Sequence, residues 1–236
     1  MKQQLTRLAS SLLVASLLLG TSCAGSYTAI HPDRVGTYQS SPVAAAPPLQ
    51  FSYQYDALNL RGRNKKYVKK ERKKGYHVVA VRVTNNTSSE VNFSRDAVLY
   101  YGDRPITPVS STLAAQDMKQ GVLIYLLYVL LNPTLTTNSS TNGYVTNENK
   151  TTLYIGPFIA GGNMLGAGLA NQHFRNELEA FDLTNRNIRP GETVYGLVCL
   201  RETNVAPLRL ELRTVASTSP ASISQPPVAP LPGGGQ

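Results

Sequence analysis

Few residues in this chain have the type and spacing to do chemistry, and the densest group of them is basic. Residues 60–75, LRGRNKKYVKKERKKG, gather Arg61, Arg63, Lys65, Lys66, Lys69, Lys70, Arg72, Lys73 and Lys74 around a single acid, Glu71. The chain carries a net charge of +9; without Lys2 and Arg7 this becomes +7, and nine bases against one acid in the segment leave everything else at −1. A block this dense repels itself and is kept out of any core, so it is expected as a solvated connection or a short exposed helix. Its chemistry is the holding of anions: membrane phosphate, lipopolysaccharide phosphate or acidic glycan. Tyr67 and Tyr76 flank the charges and permit stacking on a sugar or base, but two aromatics are thin support for nucleic acid.

The remaining candidates are scattered. Of the three histidines, His173 alone has a neighbour at helical spacing, Glu177, and two ligands make no metal site. Gly161-Gly162-Asn163-Met164-Leu165-Gly166-Ala167-Gly168 resembles a dinucleotide loop in composition but lacks the strand and helix on either side, so close helix packing is the better expectation. No phosphate-binding loop with its lysine and no Gly-x-Ser-x-Gly elbow occurs. The polar groups that catalysis requires are not clustered. A non-catalytic protein without metal or cofactor is therefore expected.

Two cysteines remain, Cys23 and Cys199. Cys199 lies inside the apolar run Val194 to Leu200 and is expected as a buried small hydrophobe, with a Cys23–Cys199 disulfide as the competing possibility. Cys23 follows an export signal: Lys2 and Arg7 begin it, Leu8 to Leu19 form an apolar run too short to stay across a membrane, and Gly20-Thr21-Ser22 are small. In this, residues 1–23 resemble bacterial lipoproteins, whose cysteine after small residues becomes the lipidated first residue of the mature chain. The pattern departs at one place, with Gly20 where those proteins usually have leucine. Ser22-Cys23-Ala24 would also suit an ordinary signal peptidase cutting after Ala24. The resemblance implies a signal peptide over 1–22 and a lipid (palmitate among its acyl chains) on Cys23. With Ala24 rather than aspartate next, it also implies sorting to the outer membrane, facing the periplasm. An exported address further disfavours nucleic acid as a partner.

The elements that would position these groups are mostly strands. Gly75 to Tyr101 predicts strand, Asn-rich turn, strand: Val79, Val81 and Val83 share one face at period two, and Val78, Ala80 and Arg82 the other. A strand from Phe51 to Ala57 precedes it, a short one over Ile106 to Val109 follows, and Thr193 to Leu200 and Leu208 to Leu212 close the series. Between them the pattern turns helical. One helix is expected over Leu113 to Leu131, a polar loop over Asn132 to Thr152, and a second helix over Asn163 to Phe181. Residues 23–49 are expected as a flexible tether and 215–236, rich in Pro, Ser and Gly, as a disordered tail.

The resulting architecture is mainly β: an antiparallel sandwich over residues 50–214 with an apolar α-helical hairpin inserted at about 112–183. Its strand order and late Pro-Gly-Glu turn look like the small immunoglobulin-like domains of bacterial envelope lipoproteins. What the resemblance implies is a lipid-anchored module for interaction or assembly with other envelope proteins. Two alternatives stay open: the apolar hairpin enters the membrane as part of a pore or transport assembly, or the basic loop 61–74 captures acidic glycan or lipopolysaccharide phosphate. The hairpin itself is expected to cover an open face of the sandwich, since Gly121 to Leu131 is too short to span a bilayer and Leu153 to Ala170 is interrupted by Pro157 and glycines.

Overall fold

The computed structural model describes residues 24–41, 47–141 and 144–213, and of residues 61, 137–141 and 144–148 the backbone alone. The expected signal peptide, Cys23 and the tail after residue 214 lie outside them. Two antiparallel sheets face each other. The first has the order β1 (Gln39–Ser40), β2 (Leu49–Gln54), β3 (His77–Asn85), β10 (Thr193–Leu200); the second the order β11 (Leu208–Leu212), β5 (Ala97–Tyr101), β6 (Arg104–Ile106). A two-stranded pair, β4 (Val91–Asn92) with β9 (Asn187–Ile188), closes one end.

Period two in β3 decides what lies on either side of the first sheet. Val79, Val81 and Val83 point into the core between the sheets, with Phe51 and Tyr53 of β2 and Leu99, Leu208 and Leu210 of the second sheet. Val78 and Ala80 point the other way, into a second core built with Leu197 and Cys199 of β10 and with three helices: α1 (Lys65–Lys74), α2 (Ser111–Met118) and α3 (Gly156–Ala180). The face expected to be only partly apolar is therefore covered at its His77 end. Further along, Arg82 is half-buried, donates to Ser52 Oγ at 3.1 Å and lies 5.6 Å from the Tyr38 ring centre.

Between α2 and α3 the chain departs from expectation. The single helix expected over Leu113 to Leu131 is broken: α2 ends at Met118, Lys119 is extended, and a 3-10 helix runs over Leu123–Leu130. The break has a partner, since Gln120 N–H donates to Asn171 Oδ1 at 2.7 Å and Asn171 Nδ2 returns a bond to Gln120 O at 3.0 Å. The polar loop is a hairpin of β7 (Thr134–Thr141) and β8 (Tyr144–Thr152), consistent with its β-branched threonines. α3 begins seven residues before the expected start, with Pro157 in its first turn, where a missing N–H costs nothing. The inserted hairpin is thus one α-helix against one 3-10 helix.

The segment expected as a tether is also different as far as it is described. Residues 24–41 lie on the helices and β2; Tyr27 packs edge-on against Tyr67 and Phe174, each at 5.3 Å between ring centres. Its Gly, Ser and Pro content masked the role, because many of the groups that hold it are main-chain amides, beside the packed Tyr27, Ile30, Val35 and Tyr38.

Candidate functional site: the basic helix and the chain entry

α1 forms where the basic block was read, as an amphipathic helix with its apolar side inward. Tyr67, Val68 and Glu71 are buried while Lys65, Lys69, Arg72, Lys73 and Lys74 are exposed and Lys70 half-buried. Gly75 ends it in the left-handed conformation (φ 66°), and Arg72, Lys73 and Lys74 in the last turn suit the negative end of the helix dipole. Among the described residues these six bases make no ion pair with an acid. Lys66 is different: its Nζ donates to Tyr125 Oη at 2.8 Å and lies 5.4 Å from the ring centre. Arg61 has its backbone in a 3-10 turn (Ala57–Gly62), and Arg63 borders a cleft of about 240 Å³ with Arg34, Thr28 and Asn64. The structure thus gathers Lys65 to Lys74 on one surface and sets Arg63 to one side of it.

Glu71, the lone acid of the block, sits beneath the basic face. Burial pushes its carboxyl up to about 7, against a bond from Val78 N–H at 2.7 Å that works the other way. Cys199 is a free thiol, buried in the second core and pushed up to about 12 by burial. A group so placed is inert.

Sequence reasoning missed four polar side chains, Asn64, Gln120, Asn163 and Glu177, all buried and all spent on the backbone of residues 24–31. Asn163 Oδ1 accepts from Ala24 N–H at 2.7 Å. Gln120 accepts from Gly25 N–H at 3.1 Å and donates to Gly25 O at 2.7 Å. Asn64 makes the same two-way pair with Thr28, at 2.8 and 2.9 Å. Glu177 accepts from Ile30 N–H at 2.7 Å, from His31 N–H at 2.9 Å and from the Tyr27 hydroxyl. His173 is exposed while Glu177 is buried, and no group of three or more His, Cys, Asp or Glu that could hold a metal ion occurs among the described residues. The one available signal was Glu177 at helical spacing with Phe174 and Leu178, on the buried side.

Ala24 is held against the first half of α3 through Asn163. Around that point the surface is apolar and open. Leu123, Leu127 and Leu130 of the 3-10 helix and Phe158, Leu165 and Leu169 of α3 are each more than half exposed. This corrects the expectation that the insertion buries both apolar stretches. The glycines divide likewise: a Cβ on Gly156 would lie 2.4 Å from Tyr128 O, the close packing expected, but Gly161, Gly162 and Gly168 meet nothing within 4 Å. No helix among the described residues is long and apolar enough to cross a membrane. No family model, curated protein or solved structure matches the chain.

Proposed function

We propose that the chain is a non-catalytic cell-envelope protein, lipid-anchored through Cys23, whose immunoglobulin-like sandwich serves as an interaction or assembly module held close against its membrane. The observation that carries this reading is the bond from Ala24 N–H to Asn163 Oδ1. It sets the residue after the candidate lipidated cysteine on the body of the protein, so the anchor leaves from a defined surface rather than from a free strand. Two packed antiparallel sheets with one core between them support the sandwich part.

The basic helix serves as a second contact, for the phosphates of the same membrane. Lys66 joins α1 to the 3-10 helix through Tyr125, and Tyr67 packs on Phe174 at 4.6 Å between ring centres, so α1 lies beside the surface from which the anchor emerges. Near an anionic surface each such base adds about 1 kcal/mol, and one lipid chain alone holds a protein only marginally. Two signals together hold it firmly.

The test is mass spectrometry of the mature N-terminus together with fractionation of a Cys23→Ala variant. A diacylglyceryl thioether on Cys23, and release or mislocalisation of the variant, are expected. An unmodified N-terminus at Gly25 overturns the reading. For the basic contact, Gln at Lys65, Lys69, Lys70, Arg72, Lys73 and Lys74, with Lys66 kept, removes salt-sensitive binding to anionic vesicles. Equal binding by both proteins makes α1 a solvated helix and nothing more.

A further inference from the structure

The 3-10 helix Leu123–Leu130 is apolar at every position, LIYLLYVL, yet only Tyr125 in it is buried. On α3 the turned-out residues follow helical spacing. Phe158, Gly162, Leu165 and Leu169 fall on one stripe, while Ala160, Asn163, Ala167, Ala170 and Phe174 form the buried stripe. The 3-10 helix is seated on the buried stripe, through the close approach of Gly156 to the carbonyls of Tyr128 and Val129, and leaves the other stripe exposed. Twelve of the fourteen large hydrophobic side chains exposed among the described residues lie between Leu123 and Leu169, most of them on the 3-10 helix and on α3, which pack on each other. A contiguous patch of this size on a protein surface marks a contact with another apolar body.

Three observations choose the body. α3 has no charged residue before Arg175, so nothing on its first half resists a medium without water. The described chain begins beside the stripe: a Cβ on Gly166, one turn along from Gly162, would lie 3.4 Å from the Ala24 Cβ. Tyr154 is exposed, and Tyr128 stacks on Tyr125 at 6.2 Å between ring centres, where Lys66 joins the basic helix; tyrosine and lysine at the rim of an apolar face suit a headgroup region.

We infer that the surface of the 3-10 helix Leu123–Leu130 and the first half of α3 docks into the acyl boundary of a phospholipid leaflet, lying in the plane of the membrane to which Cys23 is anchored. The inference rests on the anchoring reading above and adds to it an orientation. The helices lie on the membrane rather than across it, since no helix among the described residues is both long and apolar enough to span. The patch, the anchor and the basic helix then meet one leaflet together, and the two facing sheets are carried on the other side of the helices.

The experiment uses the mature full-length protein reconstituted into phosphatidylcholine vesicles, a zwitterionic lipid whose surface has no net charge to draw the basic helix. A nitroxide is placed on Phe158→Cys, on Leu130→Cys and, as a control, on Ser88→Cys in the turn after β3; the buried Cys199 does not compete for label. All three side chains are exposed, so the substitutions leave the cores intact. With lipid found on Cys23 by mass spectrometry, the labels at 158 and 130 are expected to lose collisions with a water-soluble nickel complex and gain them with oxygen, while the label at 88 stays in water. Aqueous labels at 158 and 130 on a lipidated chain overturn the docking and leave the anchor standing. Dipolar broadening between labels at 158 means that a second copy covers the patch, and likewise overturns it. An unmodified Cys23 overturns the anchoring reading and the docking with it.

Discussion

From Ala170 to Ala180, α3 is an ordinary amphipathic helix, with Phe174 and Leu178 buried against the first sheet and His173, Arg175 and Asn176 in water. From Gly156 to Leu169 the same helix buries Asn163 and small residues and turns Phe158, Leu165 and Leu169 outward. The first half is inside out relative to the second. What the difference teaches is that two surroundings act on one helix: a protein core on the later turns, and on the earlier turns a clamped backbone segment on one side with an exposed apolar stripe on the other. Buried Asn163 has a partner in Ala24, so its burial is not a defect. The outward leucines, Leu165 and Leu169, are more than half exposed among the described residues, and the clamp explains nothing about them.

The largest expected effect separates the halves directly. Phe174→Ala empties a fully buried site between Tyr27 and Tyr67 and is expected to lower unfolding stability by about 3–5 kcal/mol. Phe158→Ala, at 77 % exposure, is expected to change it by no more than about 0.5 kcal/mol. Denaturant unfolding of the purified protein measures both. Similar losses for the two would break the comparison and place Phe158 under a covering surface.

The buried acids sharpen it, because the packed side of the helices tolerates charge only where donors reach it. Glu71 has a single backbone donor, and its carboxyl is raised to about 7 chiefly by burial, with Asp56 adding to the rise and Arg72 opposing it. The unfolded chain ionises this group near 4.5 while the folded chain holds its proton, so the stability it contributes is present in full below about 4.5 and is lost as pH rises to about 7. A loss on the order of 3 kcal/mol follows from a shift of that size. Glu71→Gln keeps the oxygen that accepts from Val78 and should flatten stability across this window. An unchanged slope in the variant would mean that water already reaches Glu71.

Glu177 is the opposite case in its partners, a buried carboxyl group with three donors. Glu177→Ala leaves Ile30 N–H, His31 N–H and the Tyr27 hydroxyl without an acceptor, at a cost of about 2–3 kcal/mol. The loss is expected to be local first: residues 24–41 should become cleavable by protease before the sheets unfold. If the segment stays protected, Asn64, Gln120 and Asn163 suffice, and the clamp is redundant.

How much of this the sequence shows depends on which atoms do the work. β3 and β10 were legible, since valines at period two bury whichever face they present. The basic helix was legible as a charged surface, although not its inward Tyr67 and Glu71, because one buried acid among nine bases looks like charge balance. The 3-10 helix was not legible at all: an apolar run continuing an α-helical pattern gives no sign that Gln120 will pair with Asn171 and break it. The clamp was hidden for a further reason. Main-chain N–H groups carry no side-chain signature, so a segment held by its amides has the composition of a linker.

The smallest expected effect is the most direct check on the two surroundings, because it uses the same substitution twice within the earlier turns. At Gly156 an added methyl would stand 2.4 Å from Tyr128 O and 2.6 Å from Val129 O, and backbone carbonyls cannot move aside cheaply. Gly156→Ala should therefore destabilise by about 1–3 kcal/mol, in spite of its better helix propensity. At Gly162 nothing lies within 4 Å, and Gly162→Ala should gain up to about 1 kcal/mol from the backbone freedom that alanine removes from the unfolded chain. Opposite signs six residues apart in one helix, read by thermal unfolding, are what an inner face seated on the 3-10 helix and an outer face open among the described residues require. A destabilising Gly162→Ala would show that another part of the protein, or a second copy, packs closely there, and the outward leucines would then belong to a protein core.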